Sequence, residues 1–273
     1  MNVMSFDPEN CTRCGICVEI CPLGIISRDD VNMPYIPDKM EYVCAKCGNC
    51  EAFCPTDAIS PLFDTEHSVL ADAVLPDITP EQLGLYMRER RSIRNYKAEP
   101  VDKATIESML DIVRYAPSGV NNQPVHWLIV HDTAKVQKLT RITIDWMRGV
   151  VGSDTANPMR PVMQGLIAAY DNGKDPICRG APHVAIAHAL ADNPMAYTDS
   201  IIALSWFELV APAFGIGACW GGFLKIAVTS CKALIDELGL PEGHAVQYAM
   251  MFGYPKHEVY NIPGRNASRI TWK

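Results

Sequence analysis

Over most of the chain, apolar positions switch between a helical period and short apolar runs, which predicts helices interleaved with strands. A helix is predicted from about Pro80 to Arg90, with proline in its first turn. Another covers Lys103 to Tyr115, where Asp102 serves as N-cap and Ile106, Leu110 and Val113 share a face. Val125 to His131 reads as a buried strand, Thr133 to Gly149 as a helix and His183 to Leu190 as a second strand. Further on come a long helix from about Ala196 to Phe214 and a glycine-rich strand near Ala218 to Phe223. A helix from Thr229 to Leu238 and a strand from Ala245 to Phe252 follow. Interleaving of this kind gives an α+β or α/β class around one central sheet.

The apolar run from Ile201 to Leu224 is long enough to cross a bilayer. It is interrupted by Glu208, Pro212 and the glycines Gly215, Gly217, Gly221 and Gly222, so it reads better as a buried helix, a turn and a short buried strand, and no membrane association is expected. Ser60 to Pro80 has scattered Pro and Asp and weak periodicity, as a linker does.

Before that linker the pattern is set by cysteine. Cys11-x2-Cys14-x2-Cys17-x3-Cys21-Pro22 is followed by Cys44-x2-Cys47-x2-Cys50-x3-Cys54-Pro55. The copies also match past the cysteines, Cys21-Pro22-Leu23-Gly24-Ile25-Ile26-Ser27 running parallel to Cys54-Pro55-Thr56-Asp57-Ala58-Ile59-Ser60. The alternatives are a structural zinc site or a disulfide framework, but zinc knuckles use paired cysteines without the third cysteine and the trailing Cys-Pro. The segment resembles the bacterial two-cluster ferredoxins. That resemblance implies crossed ligand sets: Cys11, Cys14, Cys17 and Cys54 on one [4Fe-4S] cluster, and Cys44, Cys47, Cys50 and Cys21 on the other. Cys178, Cys219 and Cys231 have no metal-like spacing and read as packed side chains.

Length and charge refine this picture. A chain of 273 residues accommodates about two domains. Residues 1 to 75 carry 4 Lys and Arg against 12 Asp and Glu, net -8, whereas the rest is close to neutral. An acidic cluster domain disfavours nucleic acid and suits a basic patch on a redox partner; the alternative is a solvated acidic surface with no dedicated partner. Met1 to Asn10 has no basic or apolar export signal, and thiol-rich clusters fit a reducing compartment, so a cytoplasmic location is expected. No G-x-G-x-x-G follows a strand and no P-loop is present.

Arg90-Arg91-Ser92-Ile93-Arg94-Asn95-Tyr96 concentrates guanidinium groups that can clamp a phosphate, although a basic surface turn has the same composition. Ala116-Pro117-Ser118-Gly119-Val120-Asn121-Asn122-Gln123-Pro124 follows the second predicted helix. Arg179-Gly180-Ala181-Pro182 leads into a strand, Gly215-Ile216-Gly217-Ala218-Cys219-Trp220-Gly221-Gly222-Phe223 is glycine-rich, and Phe252-Gly253-Tyr254-Pro255 precedes Ile262-Pro263-Gly264-Arg265. In this order the five segments resemble the FMN-dependent nitroreductase family over about residues 80 to 273. Gly119 stands where many relatives have a second serine.

The resemblance implies an α+β fold with a small ferredoxin-like two-cluster domain at 1–65, a linker at 66–79 and a nitroreductase-like FMN domain with a central mixed sheet at 80–273. It implies that Arg90, Arg91, Ser92, Arg94 and Arg265 hold the phosphate and ribityl end of FMN, while Pro117, Ser118, Gly119, Asn121 and Gln123 with Gly221 and Gly222 shape the ring site. It also implies a homodimer. No side chain is assigned as proton donor, and His126 reads as a strand residue rather than an acid. The expected function is that of an oxidoreductase taking electrons from a donor such as ferredoxin, through two [4Fe-4S] clusters and FMN, to an electron-poor small molecule. The alternatives are NAD(P)H reduction of FMN with export of electrons through the clusters, and a non-catalytic electron-transfer module of a larger complex.

Overall fold

The structure, a computed structural model, describes residues 4–60 and 77–273. The expected linker at 66–79 lies for the most part outside the described residues. The described residues form two compact units: those up to Ile78 together with Val120–Asn122, and Thr79–Gly119 with Gln123–Lys273.

In the first unit, helix α1 (Ile16–Ile20) follows Gly15, strands β1 (Ser27–Arg28) and β2 (Pro34–Tyr35) pair antiparallel, and helix α2 (Asn49–Ala52) follows Gly48. The duplication seen in the sequence is also conformational. Arg13 and Lys46 have φ of 59° and 48°, Gly15 and Gly48 81° and 76°, and Gly24 and Asp57 60° and 52°, so each copy turns through the left-handed region at the same three places. Phe6 bridges Ile59, and Met4, Ile25, Ile26 and Ile59 form a small core around the buried Cys17 and Cys50.

The second unit is a sheet between two helical layers. Helices α3 (Pro80–Glu89) and α4 (Lys103–Val113) precede strand β3 (His126–Val130), then come α5 (Thr133–Ser153), α6 (Arg160–Asp171) and β4 (His183–Leu190). The chain continues through α7 (Ala196–Val210), β5 (Gly217–Trp220), α8 (Gly222–Ala227), α9 (Lys232–Leu238) and β6 (His244–Gly253). Strand order is β3-β4-β6-β5. Every described pair is antiparallel, so the expected mixed sheet is corrected to an antiparallel one. The central strands β4 and β6 are buried on both faces over Val184–Ala187 and Ala249–Phe252, which explains the short apolar runs there. Val184, Ile186 and Met251 point into the layer with Leu139, Ile144 and Met147, while Ala185, Ala187, Met250 and Phe252 face Met109, Leu204 and Phe207.

Thr79 and Gln82 form a capping box at α3, and α4 begins where Asp102 predicts. Several boundaries, and one element, differ from the sequence reading. α7 gives way at Val210 to a 3-10 turn over Ala211–Phe214, because Pro212 cannot donate to an α-helical bond, and Gly215 ends the turn at φ 70°. The glycine-rich strand stops at Trp220, since the Gly221 amide turns to the Ala249 carbonyl at 2.8 Å and helix α8 starts. α6 occupies a stretch for which the sequence pattern predicts no element. Among the described residues, no helix is long and apolar enough to cross a membrane.

Candidate functional site

In the first unit the eight motif cysteines separate into two rings. Cys11, Cys14, Cys17 and Cys54 line one small cavity. Cys21, Cys44, Cys47 and Cys50 line another. The exchange of the fourth cysteine between the motifs is thus built into the fold. Each ring surrounds a space rather than a point, and among the described residues no three His, Cys, Asp or Glu side chains converge as a single ion requires. A polynuclear cluster fits this donor set better than one zinc ion does. The Arg13 and Lys46 amides donate to the Cys11 and Cys44 sulfurs at 3.4 Å each, and the Ala58 amide to Cys54 Sγ at 3.2 Å; such bonds stabilise negative charge on a cluster ligand. Burial pushes the Cys50 thiol up to about 11 and raises Cys17 as well, so iron must displace a proton at both.

In the second unit the arginine segment lies along β5. The Ile93 amide donates to the Ala218 carbonyl at 3.0 Å, and a side chain at Gly217 would overlap Ile93, which is why the strand carries glycine there. The three guanidinium groups have different partners. Arg90 Nη1 donates to Glu208 Oε1 at 2.7 Å. Arg91 donates from Nη2 to the Arg88 carbonyl at 2.7 Å and caps the end of α3. Arg94 is exposed and lies beside the Cys219 thiol, whose pKa burial raises against the pull of that guanidinium. Arg90 and Arg91 line a cavity of about 530 Å³ together with Tyr86, Ile93, Glu208 and Tyr254.

The loop after α4 is anchored at a different point. The Gly119 amide donates to Asp199 Oδ1 at 3.1 Å, and the Gln123 amide to Ser118 Oγ at 3.0 Å. Val120, Asn121 and Gln123 have φ of 47°, 52° and 45°, a concentration of left-handed non-glycine residues that folds keep mainly at functional sites. A Cβ at Gly119 would sit 2.9 Å from Met195 Cε, so methionine fills the space a serine would need. Asp199 and Glu208 are both on α7, about 13 Å apart along its axis. A single chain therefore holds the loop and Arg90 at separate stations. Gly221 is glycine because a Cβ would lie 3.1 Å from the Ala249 carbonyl oxygen, and Gly222 faces the Tyr248 hydroxyl. Arg265 is exposed, in the stretch after β6, and its guanidinium bonds the Gly264 carbonyl.

Residues 87–254 match the nitroreductase family, more than half of the chain. The chain belongs to the nitroreductase family. Residues 10–59 match the 4Fe-4S dicluster domain, so this nitroreductase-family oxidoreductase carries that domain ahead of its family domain. It is similar to an NADH dehydrogenase of Thermus thermophilus, 26% identical over 199 residues that cover 69% of this chain and 93% of the relative. Among solved structures it resembles a nitroreductase with bound FMN from Bacteroides fragilis, with TM-score 0.57 and 23% identity over 70% of this chain and 98% of the other. The FMN-dependent nitroreductase NfnB from Mycobacterium smegmatis in complex with NADPH has TM-score 0.51 and 20% identity, over 70% of this chain and 99% of that one.

Sequence reasoning missed Glu208, Asp199 and Tyr248. Glu208 did carry a signal, as the one acid in the apolar run from Ile201 to Leu224, because a buried carboxylate needs a partner. His126 begins β3, as the sequence suggests, and is exposed in a group with His188 and His244.

Proposed function

We propose that this oxidoreductase takes electrons from an external low-potential donor, ferredoxin or a similar carrier, into two [4Fe-4S] clusters and on to FMN, for reduction of an electron-poor nitro compound, quinone or activated alkene. The observation that carries the reading is the pair of four-thiol rings in a chain of the nitroreductase family. Clusters exchange single electrons and a bound flavin pairs them, which is the chemistry these groups supply.

The remaining roles belong to the protein. Residues 1–65 form the cluster domain, 66–79 the linker and 80–273 the FMN domain. Arg94, Ser92 and Arg265, with Arg90 and Arg91, bind the phosphate and ribityl end. Pro117, Ser118, Gly119, Asn121 and Gln123, held through Asp199, frame the ring with Gly221 and Gly222. The protein is a homodimer in which a second copy completes each pocket, the arrangement the family resemblance implies. The protein acts in the cytoplasm on small molecules, not on nucleic acid or membranes.

A second reading is favoured by the NADPH complex of the NfnB neighbour: NAD(P)H reduces the flavin directly and the clusters export electrons. Rapid mixing of the anaerobic holoenzyme with reduced ferredoxin, NADH and NADPH separates the two. Flavin reduction fastest with ferredoxin supports the first reading, and fastest with a nicotinamide overturns it in favour of the second. The net -8 of residues 1 to 75 further predicts that ferredoxin-driven reduction slows with added salt.

A further inference from the structure

The turn at Gly221–Gly222 is overlooked by a hydroxyl to which no role has been given. A Cβ on Gly222 would lie 3.6 Å from Tyr248 Oη, and among the described residues that hydroxyl has no hydrogen-bond partner. Its ring is fixed from behind. Trp220 meets it edge to face, with ring centroids 5.1 Å apart at 81°. The Trp220 indole is itself held, because its Nε1 donates to Glu208 Oε2 at 3.0 Å while the other carboxylate oxygen takes Arg90. A carboxylate in the apolar run of α7 thus braces an indole on β5, which braces a phenol on β6.

We propose that the Tyr248 hydroxyl is the hydrogen-bond donor for an oxygen of the substrate at the Gly221–Gly222 turn, and that Glu208 is a positioning residue acting through Trp220. The inference rests on the flavin reading above and narrows the substrate to electron-poor compounds that present an oxygen acceptor, a nitro group or a quinone carbonyl. The hydrogen bond strengthens as that oxygen gains charge during reduction, which is where a fixed donor contributes most. Burial, with Tyr197 nearby, raises the Tyr248 phenol, so it stays protonated and able to donate at neutral pH. Lys225 belongs to the same neighbourhood, but its Nζ is committed to the Val246 carbonyl at 3.1 Å and lies over the Tyr197 ring.

The test uses the holoenzyme and Tyr248→Phe, which keeps the ring against Trp220. Flavin content and reduction by dithionite should be unchanged, while reoxidation by p-benzoquinone should slow about 100-fold, the loss typical of one transition-state donor. Binding of p-nitrobenzoate to the oxidised holoenzyme, followed by flavin difference absorbance, should weaken about 10-fold. Measured per bound flavin, p-nitrobenzoate binding should be kept in Glu208→Gln, which retains an acceptor for Trp220, and weakened in Glu208→Leu as in Tyr248→Phe. Unchanged reoxidation and p-nitrobenzoate binding in Tyr248→Phe would overturn the proposal while leaving the flavin reading intact. Loss of flavin from Tyr248→Phe would also overturn it, since the tyrosine would then hold cofactor rather than substrate. A wild-type protein with no flavin refutes the parent reading instead.

Discussion

Cys54 shares its cavity with Cys11, at the opposite end of the cluster segment, and not with Cys50, its nearest cysteine in the chain. Each ring is completed only when the other half of the duplicated unit has folded. Cys54→Ala should therefore damage the cluster carried by Cys11, Cys14 and Cys17 and spare the one carried by Cys44, Cys47, Cys50 and Cys21. Iron and sulfide should fall from about eight to about four per chain. Loss of the second cluster instead, with the first intact by electron paramagnetic resonance, would contradict the crossed arrangement.

The partners of the arginines predict unequal roles. Arg90 is paired with Glu208, whose side chain is 12% exposed, so Arg90→Ala leaves a largely buried carboxylate uncompensated and should cost about 1 to 3 kcal/mol of stability. Arg94 has no carboxylate partner, and Arg94→Ala should leave stability nearly unchanged while weakening FMN by about 1.5 to 3 kcal/mol. Denaturation midpoints and FMN dissociation constants measured on both variants check this; equal effects of the two on both quantities would refute the distinction.

What the sequence makes legible is what is locally encoded. The cysteine spacing fixes cluster chemistry because ligation is tied to motif geometry, and β4 and β6 are visible because burial on both faces demands the apolar runs Val184–Ala187 and Ala249–Phe252. α6 was not read from the sequence, although Pro161 and the helical spacing of Met163, Leu166, Ile167 and Tyr170 mark it. The end of β5 was not legible, since it depends on a bond from Gly221 to Ala249 in another strand. Glu208 finds Arg90 across 118 residues and Asp199 finds Gly119 across 80, separations that no local pattern announces. Strand direction is likewise a long-range property, and the resemblance alone suggested a mixed sheet where the four strands are antiparallel.

His188 predicts an acid limb of stability. Its Nδ1 lies 2.9 Å from His244 Nδ1, a contact that holds one proton between two rings. Burial, and then the neighbouring His244 and His126, push its pKa down to about 4 from an ordinary 6.5. The unfolded chain therefore binds the proton first as pH falls, so the contribution is complete above about pH 6.5 and is lost towards pH 4. The loss is about 3 kcal/mol. Chemical denaturation between these limits should show a slope that His188→Asn reduces, and an equal slope in both proteins would rule the origin out.

The last prediction concerns how the loop after α4 is kept in shape. Val120, Asn121 and Gln123 occupy left-handed backbone, each at a cost of roughly 1 to 2 kcal/mol, so the loop needs bonds that hold it against relaxation. One is the Gly119 amide on Asp199 Oδ1; the carboxylate is 2% exposed and its other oxygen has no partner among the described residues. Asp199→Ala removes the acceptor and leaves the amide unpaired, at about 1 to 3 kcal/mol, with the damage falling on the loop rather than on the sheet. Asp199→Asn keeps a carbonyl oxygen for Gly119 and no longer buries a charge, so it should restore stability and FMN retention together. Hydrogen exchange of residues 117–123 should rise in the alanine variant and return in the asparagine one, while β4 and β6 stay protected in both. If the strands lose protection along with the loop, Asp199 supports the core of the unit and not the ring-site loop.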